Sequence, residues 1–254
     1  MKLFPHPVIW MTVYWLGSVS LVNGATYFSE TFTGGFQGGG TIPDGDLNGW
    51  ADLRTVPSAG GIWEITDLRV TLEVSGGFNG DLYGYICHEG ESAVLLNRVG
   101  VGEAKGDSFG YDNNGFDITF SAAGSENVHF YQDFSVSYDE TDRLTGIWQP
   151  DGRDIDPLSV PSAFDNGSTE DNFNQFTGLN PAGEWTLYIA DVSSGGGQAQ
   201  TMSWGLEIDA VFVSAQAVPE TRTFFAAIFL AVWTLGRFYT SRPVRVGEVS
   251  GNES

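Results

Sequence analysis

The stretch GEWTLYIADVSSGGGQAQTMSWGLEI, residues 183–208, decides the fold class of this chain. It contains the pattern W-x-L-x-I twice, once from Trp185 and once from Trp204. Alternation of apolar with polar or small residues is typical of a strand that has one face on a core. The glycine-rich loop 193–197 lies between the two patterns, so the stretch predicts two strands with a turn between them. We expect both tryptophans to be large buried side chains of the core.

Two earlier motifs extend this pattern toward the N-terminus. They are ITDLRVTL at residues 65–72 and NGDL at residues 79–82. Together with the tryptophan-containing stretch they resemble, in order, the P domain (P/Homo B) of kexin- and furin-like proprotein convertases, from about Gly61 to Asp209. The resemblance implies a jelly-roll β-sandwich. In that family the domain is an accessory module beside a subtilisin-type serine endopeptidase domain.

Two aspartates of these motifs correspond to aspartates that are characteristic of the P-domain family. They are Asp81, in the G-D-L turn, and Asp191, at the end of the first W-x-L-x-I strand. An aspartate beside a turn accepts hydrogen bonds from nearby backbone amides. We therefore expect both to cap loops, and we expect Trp185 and Trp204 to have structural roles.

The composition agrees with an all-β protein. The chain has 34 glycines, 14% aromatic and 17% charged residues, and about ten short strands alternate with turn signals. We expect a jelly roll or β-sandwich with a C-terminal membrane helix in addition. The alternation in VHFYQDFSV predicts a strand over Val128–Val136, and the turn signals in TIPDGDLNGW predict turns over Thr41–Trp50.

The charge balance limits the possible partners. The formal net charge is −21, and residues 25–217 contain 29 acidic against 6 basic side chains. Nucleic-acid binding requires a basic surface, so we exclude it. An acidic surface is soluble and suits divalent cations, although most of these carboxylates are expected to be a solvated exterior.

The N-terminus has the composition of a secretory signal peptide. Lys2 precedes an apolar run over residues 8–22, and Val22 and Gly24 fit the small-residue positions of a cleavage site. We therefore predict a signal peptide at residues 1–24 and an exported protein. Residues 25–60 are predicted to be a first strand and a glycine-rich segment that packs on the P-like domain, residues 61–213.

The C-terminus resembles the PEP-CTERM sorting signal of exopolysaccharide-producing Gram-negative bacteria. The tripeptide V-P-E at residues 218–220 precedes an apolar run over residues 224–235 and a basic tail. Thr221 replaces the second proline of the family motif. The resemblance implies that residues 218–245 are an anchor segment recognised by an exosortase. We expect the protein first at the inner membrane and then at the cell surface or in the extracellular matrix.

The sequence offers little support for catalysis. A subtilisin-type triad requires a separate α/β domain, for which there is no room, and His88 and His129 lie in apparent strands. We expect no catalytic residues. Two alternatives stay open: accessory function in trans with a serine endopeptidase, and a carbohydrate-active or carbohydrate-binding sandwich. Sugar-stacking candidates are aromatic: Tyr83, Tyr85, Tyr111 and Trp148.

Two acidic loops are candidates for calcium binding, since calcium prefers carboxylate, amide and carbonyl oxygens in irregular loops. The first, GDSFGYDNNGFD at residues 106–117, supplies Asp107, Asp112, Asn114 and Asp117 as predicted ligands. The second supplies Asp151, Asp154 and Asp156. Turn formation and solvation are the competing roles for all of these residues.

Taken together, these patterns predict a non-catalytic exported module for binding or structural support. Its expected partners are exosortase-type sorting machinery, the membrane, and either an exopolysaccharide or a partner protein.

Overall fold

The structure, a computed structural model, describes residues 25–166 and 173–213. The predicted signal peptide and sorting segment lie outside these residues. Within them the chain forms nine strands and one short helix, α1 (Pro161–Phe164). The strands are β1 (Ala25–Phe32), β2 (Asp46–Val56), β3 (Trp63–Ser75), β4 (Leu82–His88), β5 (Glu91–Asn97), β6 (Gly115–Ser121), β7 (Leu144–Trp148), β8 (Gly183–Asp191) and β9 (Gln200–Phe212). The all-β prediction is confirmed.

The strands form two sheets. One has five strands in the order β1-β9-β3-β6-β7, and the other has four in the order β2-β8-β4-β5. All neighbours are antiparallel except β6 and β7, which are parallel. The central strands alternate buried and less buried residues, as in β3, where Leu68, Val70, Leu72 and Val74 all face the core. The sheets therefore form a β-sandwich with a continuous apolar core.

The predicted turn between the two tryptophan strands is a crossover between the sheets. Strand β8 lies in the four-stranded sheet and β9 in the five-stranded sheet, so they do not pair with each other. Trp185 and Trp204 are fully buried and enter the core from opposite sides. Trp204 also reaches the opposite sheet, because its Nε1 donates to the Asp52 carboxylate of β2 at 2.7 Å. Both predicted strands and the loop between them are present, but the two strands do not form a hairpin, because period-2 alternation does not specify the partner of a strand.

Two local predictions also need correction. Val128–Val136 is not a strand: Val128–Asp133 forms a 3-10 segment, with the Asn127 side chain accepting from His129 N at 3.0 Å. Residues 128 to 131 are all buried, so the even-numbered and the odd-numbered residues of the apparent alternation both face the interior. Within Thr41–Trp50, strand β2 begins already at Asp46, and the predicted turn at Gly49 is an irregularity of the pairing with β8.

Among the described residues, no helix has both the length and the apolar character that a membrane crossing requires.

Candidate functional site

A cleft of about 690 Å³ opens where β3 and β8 end and β4 and β9 begin. Its lining includes four aspartates and one cationic side chain: Asp81, Asp107, Asp112, Asp133 and Lys105. Residues 193–196 of the loop before β9 complete the opposite wall. We call this feature the acidic cleft. Two residues of the predicted calcium loop and one predicted loop-capping aspartate thus meet at one place.

Two phenylalanines give the acidic cleft an apolar component. Phe78 is 42% exposed and Phe109 is 78% exposed, and both line the cleft. Large side chains this open to solvent leave apolar area that a ligand could cover. The cleft therefore combines carboxylates with aromatic rings, the combination that suits a cation carried on an apolar stem.

The wall of the cleft that carries Phe109 is held by backbone hydrogen bonds. Asp107 Oδ1 accepts from the amides of Phe109 and Gly110, both at 2.7 Å. The N–H of Gly80 donates to the carbonyl of Tyr111 at 2.8 Å. A Cβ at Gly80 would lie 2.4 Å from the Phe109 carbonyl oxygen, so only glycine permits this approach. The exposed side chains consequently stand on a fixed loop.

A buried polar network lies behind the same loop. The Asn79 side chain accepts from Gly115 N at 2.8 Å, and its amide donates to Gly115 O and to the Tyr131 hydroxyl, both at 3.1 Å. That hydroxyl donates to Asn113 Oδ1 at 2.8 Å. Burial raises the pKa of Tyr131, so the phenol stays neutral. Sequence reasoning missed this network because its members are far apart in the chain.

The deepest carboxylates of this region are those of Asp81 and Asp191. They are 6% and 0% exposed, respectively. Asp191 Oδ1 accepts from Ser193 N at 3.2 Å, a loop contact of the kind expected from sequence. Burial, together with the negative charges of Asp81 and Asp44, raises the pKa of Asp191 to about 6. Burial also raises the pKa of Asp81, against the opposing effect of the Arg98 charge.

The four predicted calcium ligands of the first acidic loop are not all at the cleft. Asp107 and Asp112 line it, whereas Asn114 donates to the Thr141 carbonyl and Asp117 lies in β6 opposite Glu73. In the described ranges, no three side chains among His, Cys, Asp and Glu are grouped so as to hold a metal ion. Calcium binding by this loop stays a prediction.

The second acidic loop is divided between different environments. Asp151 is fully buried, and its carboxylate contacts His129 Nδ1 at 2.7 Å and Arg153 Nη1 at 2.9 Å. Asp154 is exposed, and Asp156 accepts from Leu158 N at 2.9 Å. Asp151 is therefore part of a buried ion network.

Both described histidines are enclosed by the fold. His88 is 2% exposed, and its two ring nitrogens lie 2.9 and 2.6 Å from backbone carbonyl oxygens. His129 is fully buried between the Asp151 carboxylate and the Val101 carbonyl, at 2.7 and 2.9 Å. Neither lines the acidic cleft. Their imidazoles are thus engaged in structural contacts away from the solvent.

The aromatic candidates for sugar stacking are dispersed. Tyr83 and Tyr85 lie with Tyr188 on the outer face of the four-stranded sheet, where Tyr85 and Tyr188 stack at 4.7 Å between ring centroids. Each of these two rings therefore has one face covered by the other. Tyr111 lines the acidic cleft and packs against Tyr131, and Trp148 is only 7% exposed.

Comparisons with known proteins do not place the chain in a family. No protein-family model matches it, and no curated protein does. A chain in the crystal structure of the Aeromonas sobria serine protease and chaperone complex is similar over 76% of this chain, with 12% sequence identity and a TM-score of 0.43. The matched region spans 28% of that chain. A similarity of this size assigns no function.

Proposed function

We propose that this chain is a non-catalytic exported binding module, and that its acidic cleft binds a positively charged, partly apolar segment of a partner protein. The observation that carries the proposal is the placement of three exposed aspartates and two exposed phenylalanines around one cleft. Lysine and arginine side chains match this lining, because their apolar stems pack on aromatic rings while their charged ends meet carboxylates.

The proposed export and surface location are supported by the sequences of the two termini. The proposed P-domain-like jelly roll is supported by the ordered motifs at residues 65–72, 79–82 and 183–208. The burial of both described histidines supports the non-catalytic part, since neither imidazole is available as a general base at the cleft.

The proposal can be tested with two fluorescein-labelled nonapeptides that alternate a charged residue with leucine or phenylalanine. One carries arginine at the charged positions and the other carries glutamate. Fluorescence anisotropy with the full chain should detect binding of the arginine peptide alone. Binding should weaken as salt is raised, because exposed charge pairs are screened.

Variants locate the binding surface. Asp112 and Asp133 are exposed, and neither carboxylate accepts a hydrogen bond within the described part, so Asp112→Asn with Asp133→Asn removes charge without disturbing the loop. We expect a several-fold loss of affinity, from about 0.2–1 kcal/mol per exposed pair. Phe109→Ala should cost about tenfold, because the ring becomes covered on binding.

The matched control removes the same charge elsewhere on the surface. Asp117→Asn with Asp154→Asn has the same net charge as the cleft double variant, and neither residue lines the cleft. It should bind the arginine peptide like the wild type. Equal losses in the two double variants would mean nonspecific attraction to an acidic protein and would contradict the proposal.

A further inference from the structure

Two buried aspartates, Asp81 and Asp191, lie where β8 ends and β4 begins, and Asp81 also lines the acidic cleft. Leu82 of β4 pairs with Asp191 of β8, so the backbone of Asp81, the last residue of the 3-10 segment before Leu82, lies close to the backbone of Asp191. The N–H of Val192 donates to the Asp81 carbonyl at 2.8 Å and fixes this approach. Both aspartates are at most 6% exposed. The fold therefore brings the backbones of two buried acidic residues together, and the negative charge of Asp81 acts on the Asp191 carboxyl.

The hydrogen bonds of Asp191 leave one oxygen without a partner. Oδ1 accepts from Ser193 N, whereas Oδ2 is buried and has no described donor in normal hydrogen-bond geometry; the backbone N–H of Gly45 is near enough to the carboxylate to lower its pKa. In residues 25–166 and 173–213, the other buried side-chain atoms without a hydrogen-bond partner are hydroxyl and amide oxygens, so Oδ2 of Asp191 is the one carboxylate oxygen among them. Leaving a buried charged oxygen unpaired is costly, which points to a ligand that supplies positive charge.

The charges that face this pair do not compensate it. Asp44, whose Oδ1 accepts from Gly195 N at 3.0 Å, adds a third negative charge nearby and raises the pKa of both buried aspartates. Arg98 is the cation that acts on Asp81, and its Nε donates to the Gly80 carbonyl at 3.2 Å. A cation acting directly on Asp191 is not among the causes of its raised pKa. The pair thus has an excess of negative charge.

We propose that Asp81 and Asp191 bind a divalent cation, with calcium preferred over magnesium. No three acidic side chains in the described ranges are grouped to hold a metal, so backbone carbonyls and water would supply the remaining ligands. Calcium accepts six to eight oxygen ligands in irregular geometry, whereas magnesium requires a near-ideal octahedron. The neighbouring loop at residues 193–197, which contains three glycines, is the irregular type of segment that suits calcium. This proposal is independent of peptide binding at the exposed part of the cleft.

The test measures thermal unfolding and calcium binding of the full chain. In calcium chloride at a hundred times the dissociation constant, the Tm should exceed that in chelator by about 5–10 °C. Sodium chloride at matched ionic strength should give a much smaller rise, and magnesium chloride an intermediate one. Isothermal titration calorimetry with calcium chloride should show binding. Absence of a calcium effect beyond that of matched salt would overturn the proposal.

The variant Asp191→Asn gives opposite signs for a metal ligand and for a structural hydrogen-bond acceptor. The carboxamide keeps the shape and removes the repulsion, so the variant should melt higher than the wild type in chelator and should not respond to calcium. Asp81→Asn should behave in the same way, and it decides the question if Asp191→Asn fails to fold.

The control variant is Asp107→Asn with Asp112→Asn, in the first predicted calcium loop. It should keep the calcium response of the wild type. Loss of the response in this variant, with retention in Asp191→Asn, would place the ion in residues 106–117 and overturn the proposal. Stabilisation of the wild type by low pH but not by calcium would show that the pair shares a proton instead, and would also overturn it.

Discussion

Two fully buried aspartates of this sandwich have opposite surroundings. Asp151 lies between two basic side chains: its Oδ2 contacts His129 Nδ1 at 2.7 Å, and its Oδ1 accepts from Arg153 Nη1 at 2.9 Å. Asp191 is acted on by the negative charge of Asp81, and its Oδ2 has no donor in normal hydrogen-bond geometry in the described part of the chain. Two equally buried aspartate carboxylates therefore have opposite electrostatic environments.

The pKa values of the two carboxyls express this difference. Burial by itself raises the pKa of both groups. For Asp151 the positive charges of His129 and Arg153 outweigh burial and lower the pKa, whereas for Asp191 the charge of Asp81 adds to burial. The comparison teaches that burial of an acid alone does not indicate a site. An acid that is buried without a counter-charge indicates a place where something else is to bind.

The largest expected effect is that of Asp151→Asn. The change leaves Arg153 and His129 buried beside a neutral amide, so we expect a loss of about 3–5 kcal/mol in the free energy of unfolding. Urea denaturation measures it. The control is Asp154→Asn, an exposed neighbour, which should stay within about 0.5 kcal/mol of the wild type. If Asp151→Asn stabilises the fold, the network is not the source of the lowered pKa.

The second effect concerns the apolar core of the sandwich. Trp204 is fully buried and packs on Phe32 at 4.9 Å between ring centroids. Trp204→Ala should cost about 3–4 kcal/mol by leaving a cavity. Met202→Ala, at a side chain that is 43% exposed in the same strand, is the control and should cost far less. A midpoint unchanged by Trp204→Ala would contradict the observed packing.

The third prediction uses the raised pKa of Asp191. Its value is about 6 in the folded chain against 3.8 when unperturbed, so the folded state binds the proton more tightly. The stability that results is fully present below about pH 4 and is lost as the pH rises through 6. In chelator, Asp191→Asn should match the wild type near pH 4 and exceed it by about 2 kcal/mol at pH 7. Urea denaturation at both pH values measures the difference.

Asp151 predicts the reverse sign of pH dependence. Its lowered pKa contributes stability that is present above the pKa of the unfolded chain and is lost as the pH falls through the folded value. The stability that Asp151→Asn loses relative to the wild type should therefore decrease as the pH falls. The stability that Asp191→Asn gains should also decrease as the pH falls, so the two difference profiles have opposite signs. Parallel profiles for the two variants would contradict the comparison.

Sequence alone predicted the parts of this molecule that depend on neighbouring residues. Alternation identified the strands around Trp185 and Trp204, and their burial followed from their size. It failed where distant segments decide the structure. Nothing near Asp191 in the chain reveals that Asp81 is its neighbour, so capping was the role expected of both. Likewise the alternation in Val128–Val136 could not show that successive residues are all enclosed.

The smallest expected effect is that of Arg69→Gln, at a partly exposed side chain. Arg69 contacts three acids, with Glu207 Oε1 at 2.5 Å, Asp67 Oδ2 at 3.0 Å and Asp209 Oδ2 at 3.5 Å, yet its side chain is 31% exposed. Water screens these pairs, so Arg69→Gln should cost at most about 1 kcal/mol in spite of the larger number of contacts. High salt should reduce that cost further, while the cost of Asp151→Asn should persist. A loss at Arg69 as large as that at Asp151 would mean that the number of ion pairs governs their contribution. The smaller loss expected for Arg69→Gln than for Asp151→Asn would instead mean that burial governs the contribution of an ion pair. Burial is also the property that distinguishes Asp191 from the many solvated acids of this chain.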